Sequence, residues 1–169
     1  MFGRISVLSL LALSACRGAL PPVPPDSAGE LPGVRLTSLD GASAELRSIV
    51  GHRAALVNLW APWCDSCVSE LEALNRLGDR AHQNGGVVVG VAVGRPRAEV
   101  AEFTKQHPLR FPQLVDEEFK LSDALGQRRV PTTLVVDREG RVTFVGAALD
   151  HDALAAFRKA MATESARTQ

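Results

Sequence analysis

Ala54-Ala55-Leu56-Val57-Asn58-Leu59-Trp60-Ala61-Pro62-Trp63-Cys64-Asp65-Ser66-Cys67 is the stretch that decides the fold. Its first half, Ala54 to Trp60, is a nearly continuous apolar run, the pattern of a strand buried on both faces. A helix then starts near Cys64. Val68, Leu71, Leu74 and Leu77 give that helix an apolar stripe, and Asn84-Gly85-Gly86 ends it. Two cysteines three positions apart therefore sit where a buried strand hands over to a helix.

That position has chemical consequences. The first turn of a helix carries unpaired N–H groups and the positive end of the helix dipole. A thiolate there is stabilised, and a Cys pKa of about 8.5 can fall to roughly 3.5–7.5. Cys64, at the helix mouth, reads as the nucleophile. Cys67 lies one turn along on the same helix face and should be more buried, as suits a resolving thiol. Structural zinc is a poor alternative, because zinc wants four ligands and the chain offers no second cysteine pair. His52, His82, His107 and His151 show no ligand spacing and read as surface or loop residues. No metal and no cofactor are expected. A purely structural disulfide remains the other reading of the pair.

Working outward, the surrounding pattern alternates strands and helices. Upstream, Val34 to Thr37 alternates like a strand and Asp40-Gly41 marks a turn, while Ala44 to Val50 reads as either a short strand or a turn of helix. Downstream, Val87 to Val93 is a buried strand, Arg97 to His107 a helix with Val100, Ala101 and Phe103 inward, and Glu117 to Leu125 a short helix ending at Gly126. Thr132 to Val136, the turn Asp137-Arg138-Glu139-Gly140 and Arg141 to Val145 form a strand hairpin. Asp150 to Met161 closes as a helix, with a frayed tail over Thr163 to Gln169. This order predicts an α/β fold with a central mixed sheet flanked by helices, and an extra N-terminal strand or hairpin.

The N-terminus reads differently. Arg4 is followed by a short, largely apolar run from Ile5 to Leu13, too short for a membrane-spanning helix of about 20 residues. It has the form of an export signal over residues 1–15. Leu13-Ser14-Ala15-Cys16 resembles the bacterial lipobox, in which the Cys takes a diacylglycerol and becomes the new N-terminus. That resemblance implies lipidation of Cys16; an ordinary cleaved signal with an incidental Cys is the alternative. Residues 16–33 hold Pro21, Pro22, Pro24, Pro25 and Pro32 and read as an extended tether, leaving 34–169 as the folded domain. Cys64 and Cys67 are then the only pair in the mature chain, and export places them where disulfides persist. The 169 residues carry a net charge of zero, so no basic footprint for nucleic acid is present.

Asn58 to Cys67, followed by Val130-Pro131-Thr132-Thr133, resembles the thioredoxin superfamily, and more narrowly the exported TlpA/ResA-like thiol–disulfide proteins. The resemblance runs from about Val34 to Met161. It implies a thioredoxin-like fold and makes Pro131 a cis-proline facing the cysteine pair. Val130 would then offer its backbone to an extended substrate strand, with Trp63 beside it. An ordinary trans proline opening a strand is the alternative. The resemblance also implies a role for Glu70, three residues after Cys67, in taking the proton from the resolving thiol. A surface Glu that merely favours a helix N-terminus is the competing reading.

Two departures matter. Thioredoxin has a buried Asp where this chain has Asn58, and Asn cannot shuttle a proton. Most relatives have Pro where Ser66 stands, and Asp65 brings a carboxylate between the cysteines. Like charge at Asp65 raises a thiolate's pKa, whereas a hydroxyl at Ser66 could donate to it. What the resemblance implies is an extracytoplasmic reductant of protein disulfides, as in cytochrome c or copper-site maturation. Its electrons would come from a membrane thiol donor, and it is expected to act as a lipid-anchored monomer at a bacterial membrane facing the periplasm or cell exterior. A disulfide oxidant or isomerase with the same residues, and a copper metallochaperone, stay open. A peroxidase of the peroxiredoxin kind fits less well than a dithiol protein.

Overall fold

A computed structural model describes residues 29–162. The expected signal, Cys16, most of the tether and the C-terminal tail lie outside them. The elements run β1 (Arg35–Ser38), β2 (Ser43–Glu45), α1 (Leu46–Val50), β3 (Ala55–Trp60), α2 (Asp65–Gln83), β4 (Val87–Val93), α3 (Arg97–Gln106), β5 (Gln113–Asp116), α4 (Lys120–Ala124), β6 (Thr132–Val136), β7 (Val142–Gly146) and α5 (His151–Ala162). The segment with two readings is both of them, a three-residue strand followed by one turn of helix.

The seven strands form one sheet in the order β2-β1-β5-β4-β3-β6-β7. β3, β4 and β5 are parallel, while β6 pairs antiparallel with β3, and β1 with β5. This is the mixed thioredoxin-like sheet expected. β3 and β4 are buried along their whole length, which is why their sequences read as unbroken apolar runs. The two faces make two cores. One packs Leu56, Trp60, Val88, Ala92 and Val135 against Leu71 and Leu74 of α2 and Phe157 of α5. The other holds Val57, Leu59, Val89, Val91, Leu134 and Leu46.

Two features differ from the expectation. β5 was not legible as a strand, because two of its four residues, Gln113 and Asp116, are polar yet buried. Asp116 is satisfied locally: its carboxylate accepts from the N–H groups of Leu121 and Ser122 and from the Ser122 hydroxyl. This anchors the start of α4, which is shorter than the span Glu117 to Leu125. Packed structure also begins ahead of Val34. Leu31 is 1% exposed, its N–H donates to the Gly140 carbonyl, and Glu30 bridges to Arg141.

Candidate active site

The end of β3 delivers Cys64 to the mouth of α2. Cys64 is the N-cap residue of that helix, and its sulfur accepts from the Cys67 N–H at 3.2 Å. Cys64 and Cys67 are joined as a disulfide. Cys64 retains 7% exposure and Cys67 none, so only the first sulfur is open to attack. The Ser66 hydroxyl lies 3.3 Å from Cys64 Sγ. In the dithiol form a Cys64 thiolate would thus meet a backbone N–H, a hydroxyl and the helix dipole, all favouring negative charge.

The Val130–Pro131 peptide bond is cis. β6 pairs with β3 so that Thr132 faces Leu59, which sets Pro131 at the same end of the sheet as Trp60 and the Cys64 turn. Val130 packs on the cluster that contains both cysteines. Trp63, 56% exposed, is the large apolar side chain left open to solvent among the described residues. The site therefore has a cysteine with a little accessible surface, an exposed apolar ring one residue before it and a short stretch of backbone next to a cis-proline.

Glu70 is half-buried on the second turn of α2. Its Oε1 accepts from the Leu149 N–H at 3.1 Å, across to the β7–α5 connection, and its Oε2 is buried with no donor. Burial raises its pKa above the usual carboxylate range; the Leu149 hydrogen bond opposes this and the nearby Asp150 charge adds to it. Leu149 is not readable as a partner from local pattern, because the contact spans 79 positions. Asp65 is exposed at the first turn. Asn58 is wholly buried on β3, where its Nδ2 donates to Thr133 Oγ1 at 3.3 Å. The four histidines are exposed, as expected of surface residues.

A sheet of this order with a two-cysteine helix mouth and a cis-proline defines the thioredoxin-like class. The chain belongs to the AhpC/TSA family, whose model matches residues 28–145. It is 27% identical over 113 residues to the thiol-disulfide oxidoreductase ResA of Bacillus cereus, covering 67% of this chain and 65% of that protein. It is 30% identical over 111 residues to ResA of Geobacillus thermodenitrificans, covering 66% and 63%. The matched region thus spans a little under two thirds of these relatives' length. Among solved structures, a secreted thiol-disulfide isomerase of Corynebacterium glutamicum superposes with a TM-score of 0.68 at 25% identity, covering 78% of this chain and 84% of that one. The exposed lipoprotein thioredoxin Etrx1 of Streptococcus pneumoniae gives a TM-score of 0.65 at 25% identity, covering 75% and 98%.

Proposed function

We propose that this chain is an exported, lipid-anchored thiol–disulfide oxidoreductase that reduces disulfides in other proteins. The observation that carries the reading is the Cys64–Cys67 disulfide at the mouth of α2, with Cys64 alone of the two retaining some accessible surface, at the sheet end that carries the cis Val130–Pro131 bond. In the reductive direction the Cys64 thiolate attacks a substrate disulfide and displaces one substrate sulfur as a thiolate. Cys67 then attacks Cys64 in the mixed disulfide. The second substrate sulfur leaves, and the internal disulfide reforms. Two electrons pass to the substrate, and a dithiol donor at the membrane restores the pair.

The other residues have roles in the same scheme. Trp63 and the Val130–Pro131 backbone form the edge on which an extended substrate strand lies. Glu70 takes the Cys67 proton before resolution, and its raised pKa makes it a better base than an exposed Glu. Lipidation at Cys16 and a Pro-rich tether hold the domain at the membrane. The lipobox-like Leu13-Ser14-Ala15-Cys16 supports that reading, as do the names of the secreted and lipoprotein neighbours. Maturation of cytochrome c or of copper-site cysteines is the setting that suits a reductant with ResA-like relatives.

One experiment tests both direction and division of labour. The reduction potential should lie nearer about −270 mV, as in thioredoxin, than about −120 mV, as in a strong oxidant. In the same assays Cys67→Ala should accumulate mixed disulfides through Cys64, while Cys64→Ala should not. An oxidant-like potential refutes the reductive direction, and equal trapping by both variants refutes the assignment of Cys64.

A further inference from the structure

The chain that enters β6 holds one arginine out into solvent. Thr132 pairs with Leu59 near the end of β3, so Arg128 to Pro131 lie at the disulfide end of the sheet. Several contacts fix this approach. The Thr132 hydroxyl donates to the Arg129 carbonyl at 2.8 Å, and the Val130–Pro131 bond is cis. Val130 packs inward against both apolar clusters, whereas Arg129 is exposed. Upstream, Arg128 is held down: its guanidinium pairs with Asp123 at 2.7 Å and lies over the Phe119 ring, 5.6 Å from the centroid. Phe119 has left-handed backbone (φ 58°), and its ring sits so close to Gly94, just beyond β4, that a Cβ there would collide with it.

The other arginines at this end of the sheet are committed. Arg95 pairs with Glu99 at 3.6 Å, Arg97 donates to the Leu39 carbonyl at 2.9 Å, and Arg128 is held as above. The Arg129 side chain makes no hydrogen bond or ion pair among the described residues; its one polar contact is through its carbonyl. A guanidinium without an internal partner can meet an incoming carboxylate in a two-pronged, charge-assisted contact and displaces nothing to do so. Its backbone is one residue, about 3.8 Å, from that of Val130. Side chains on a strand laid against Val130 fall about 4.5–8 Å away, directly opposite or diagonally, which an arginine spans.

We infer that Arg129 is a specificity-determining residue, which selects substrate disulfides whose attacked cysteine has an Asp or Glu within about two positions. The inference rests on the reading above, in which Cys64 attacks and the Val130–Pro131 backbone carries the substrate strand. The attacked cysteine must reach Cys64, so the residues that fall against Arg129 are that cysteine's near neighbours. Arg129 takes no part in the exchange of sulfurs; it acts on encounter and binding. An exposed ion pair is a modest effect and is screened by salt, so the preference is several-fold rather than absolute.

The test uses the full chain with Cys16→Ser, reduced beforehand with a dithiol that is then removed. Its substrates are symmetrical peptide dimers joined by one disulfide, with Asp, Asn or Lys placed on either side of the cysteine in turn. Each turnover oxidises one Cys64–Cys67 pair and releases two peptide thiols, counted by chromatography. Each rate constant is divided by that of the same peptide with dithiothreitol, which removes the peptide's own reactivity. On at least one side the Asp peptide should react about three- to five-fold faster than the Lys peptide. The ratio should fall to about one in Arg129→Gln and in 1 M salt, survive in Arg129→Lys, and invert in Arg129→Glu. Arg80→Gln removes an exposed charge from the last turn of α2, at the far end from the disulfide, and should leave the ratio unchanged. Equal rates for Asp and Lys peptides in the parent overturn the inference. So does a ratio that persists in Arg129→Gln or is lost equally in Arg80→Gln. Failure of the reduced parent to cleave any of the peptides would instead remove the redox reading itself.

Discussion

Glu70 is a carboxylate whose two oxygens have unequal fates. Oε1 is held by the Leu149 N–H, while Oε2 is buried without a donor. Burial, reinforced by Asp150, lifts its pKa above the usual range. Between the pKa of an unfolded Glu and this raised one, the folded protein binds a proton that the unfolded chain does not. Wild-type stability therefore falls as pH rises through the raised pKa. Glu70→Gln keeps an oxygen for Leu149 but cannot ionise. Its stability relative to wild type should increase as pH rises through that pKa, measured by urea unfolding across the acidic to neutral range. If Glu70 is also the base, the same variant slows release of a trapped substrate while leaving the first attack of Cys64 unchanged. Stopped-flow kinetics on a model disulfide separate the two steps. A stability gain with unaltered resolution would leave Glu70 as a strut between α2 and the β7–α5 connection.

At the scale of elements, legibility followed burial chemistry. β3, β4 and α2 were readable because an element buried on both faces, or along one stripe, writes an apolar run or a 3.6-residue period into the sequence. The cysteine pair was readable for the same reason, since the β3–α2 junction fixes its place. β5 was hidden because Gln113 and Asp116 spend their buried polarity on Trp60 and on the start of α4, contacts that no local pattern announces. The Glu70–Leu149 and Asn58–Thr133 bonds were hidden likewise, spanning 79 and 75 positions. Gly90 shows how tightly the hidden strand is fitted. A Cβ on Gly90 would collide with the side-chain amide of Gln113. Gly90→Ala should push Gln113 off Trp60 and cost about 1–3 kcal/mol of stability, read by urea denaturation. The shift of the single buried Trp60 should appear in the near-ultraviolet circular dichroism; an unchanged spectrum would mean that Gln113 swings aside without loss.

For the whole molecule, the open question in the sequence was where the tether stops and the domain starts. The proline-rich composition of residues 16–33 suggests a boundary at Val34, because composition reports the average of a segment and Leu31 is one apolar residue between Glu30 and Pro32. The fold uses that one residue. Leu31 packs into the core formed with Leu46, Val57, Leu134 and Val142, and Gly29 and Leu31 hydrogen-bond to the β6–β7 turn through Val142 and Gly140. Arg47 of α1 ties the same segment down, donating to Glu30 Oε2 at 2.9 Å and to the Leu31 carbonyl at 3.3 Å. The segment thus closes the end of the β6–β7 hairpin remote from the cis-proline, since β6 runs from Pro131 toward Val136 and Val142 pairs with Val136. Under the proposed anchoring, a pull from the N-terminal side would load this clasp before it reached the disulfide. Leu31→Ala should cost about 2–4 kcal/mol, as expected for a fully buried leucine, while a chain beginning at Val34 should lose at least as much. Neither change should alter the reduction potential measured on the folded fraction, because the clasp's hydrogen bonds run to Gly140, Val142 and Arg47 and not to the Cys64–Cys67 turn. Chemical denaturation and glutathione equilibration on the same samples check both halves. A potential that moved with Leu31 would mean that the tether end and the redox end of the sheet are coupled through β6.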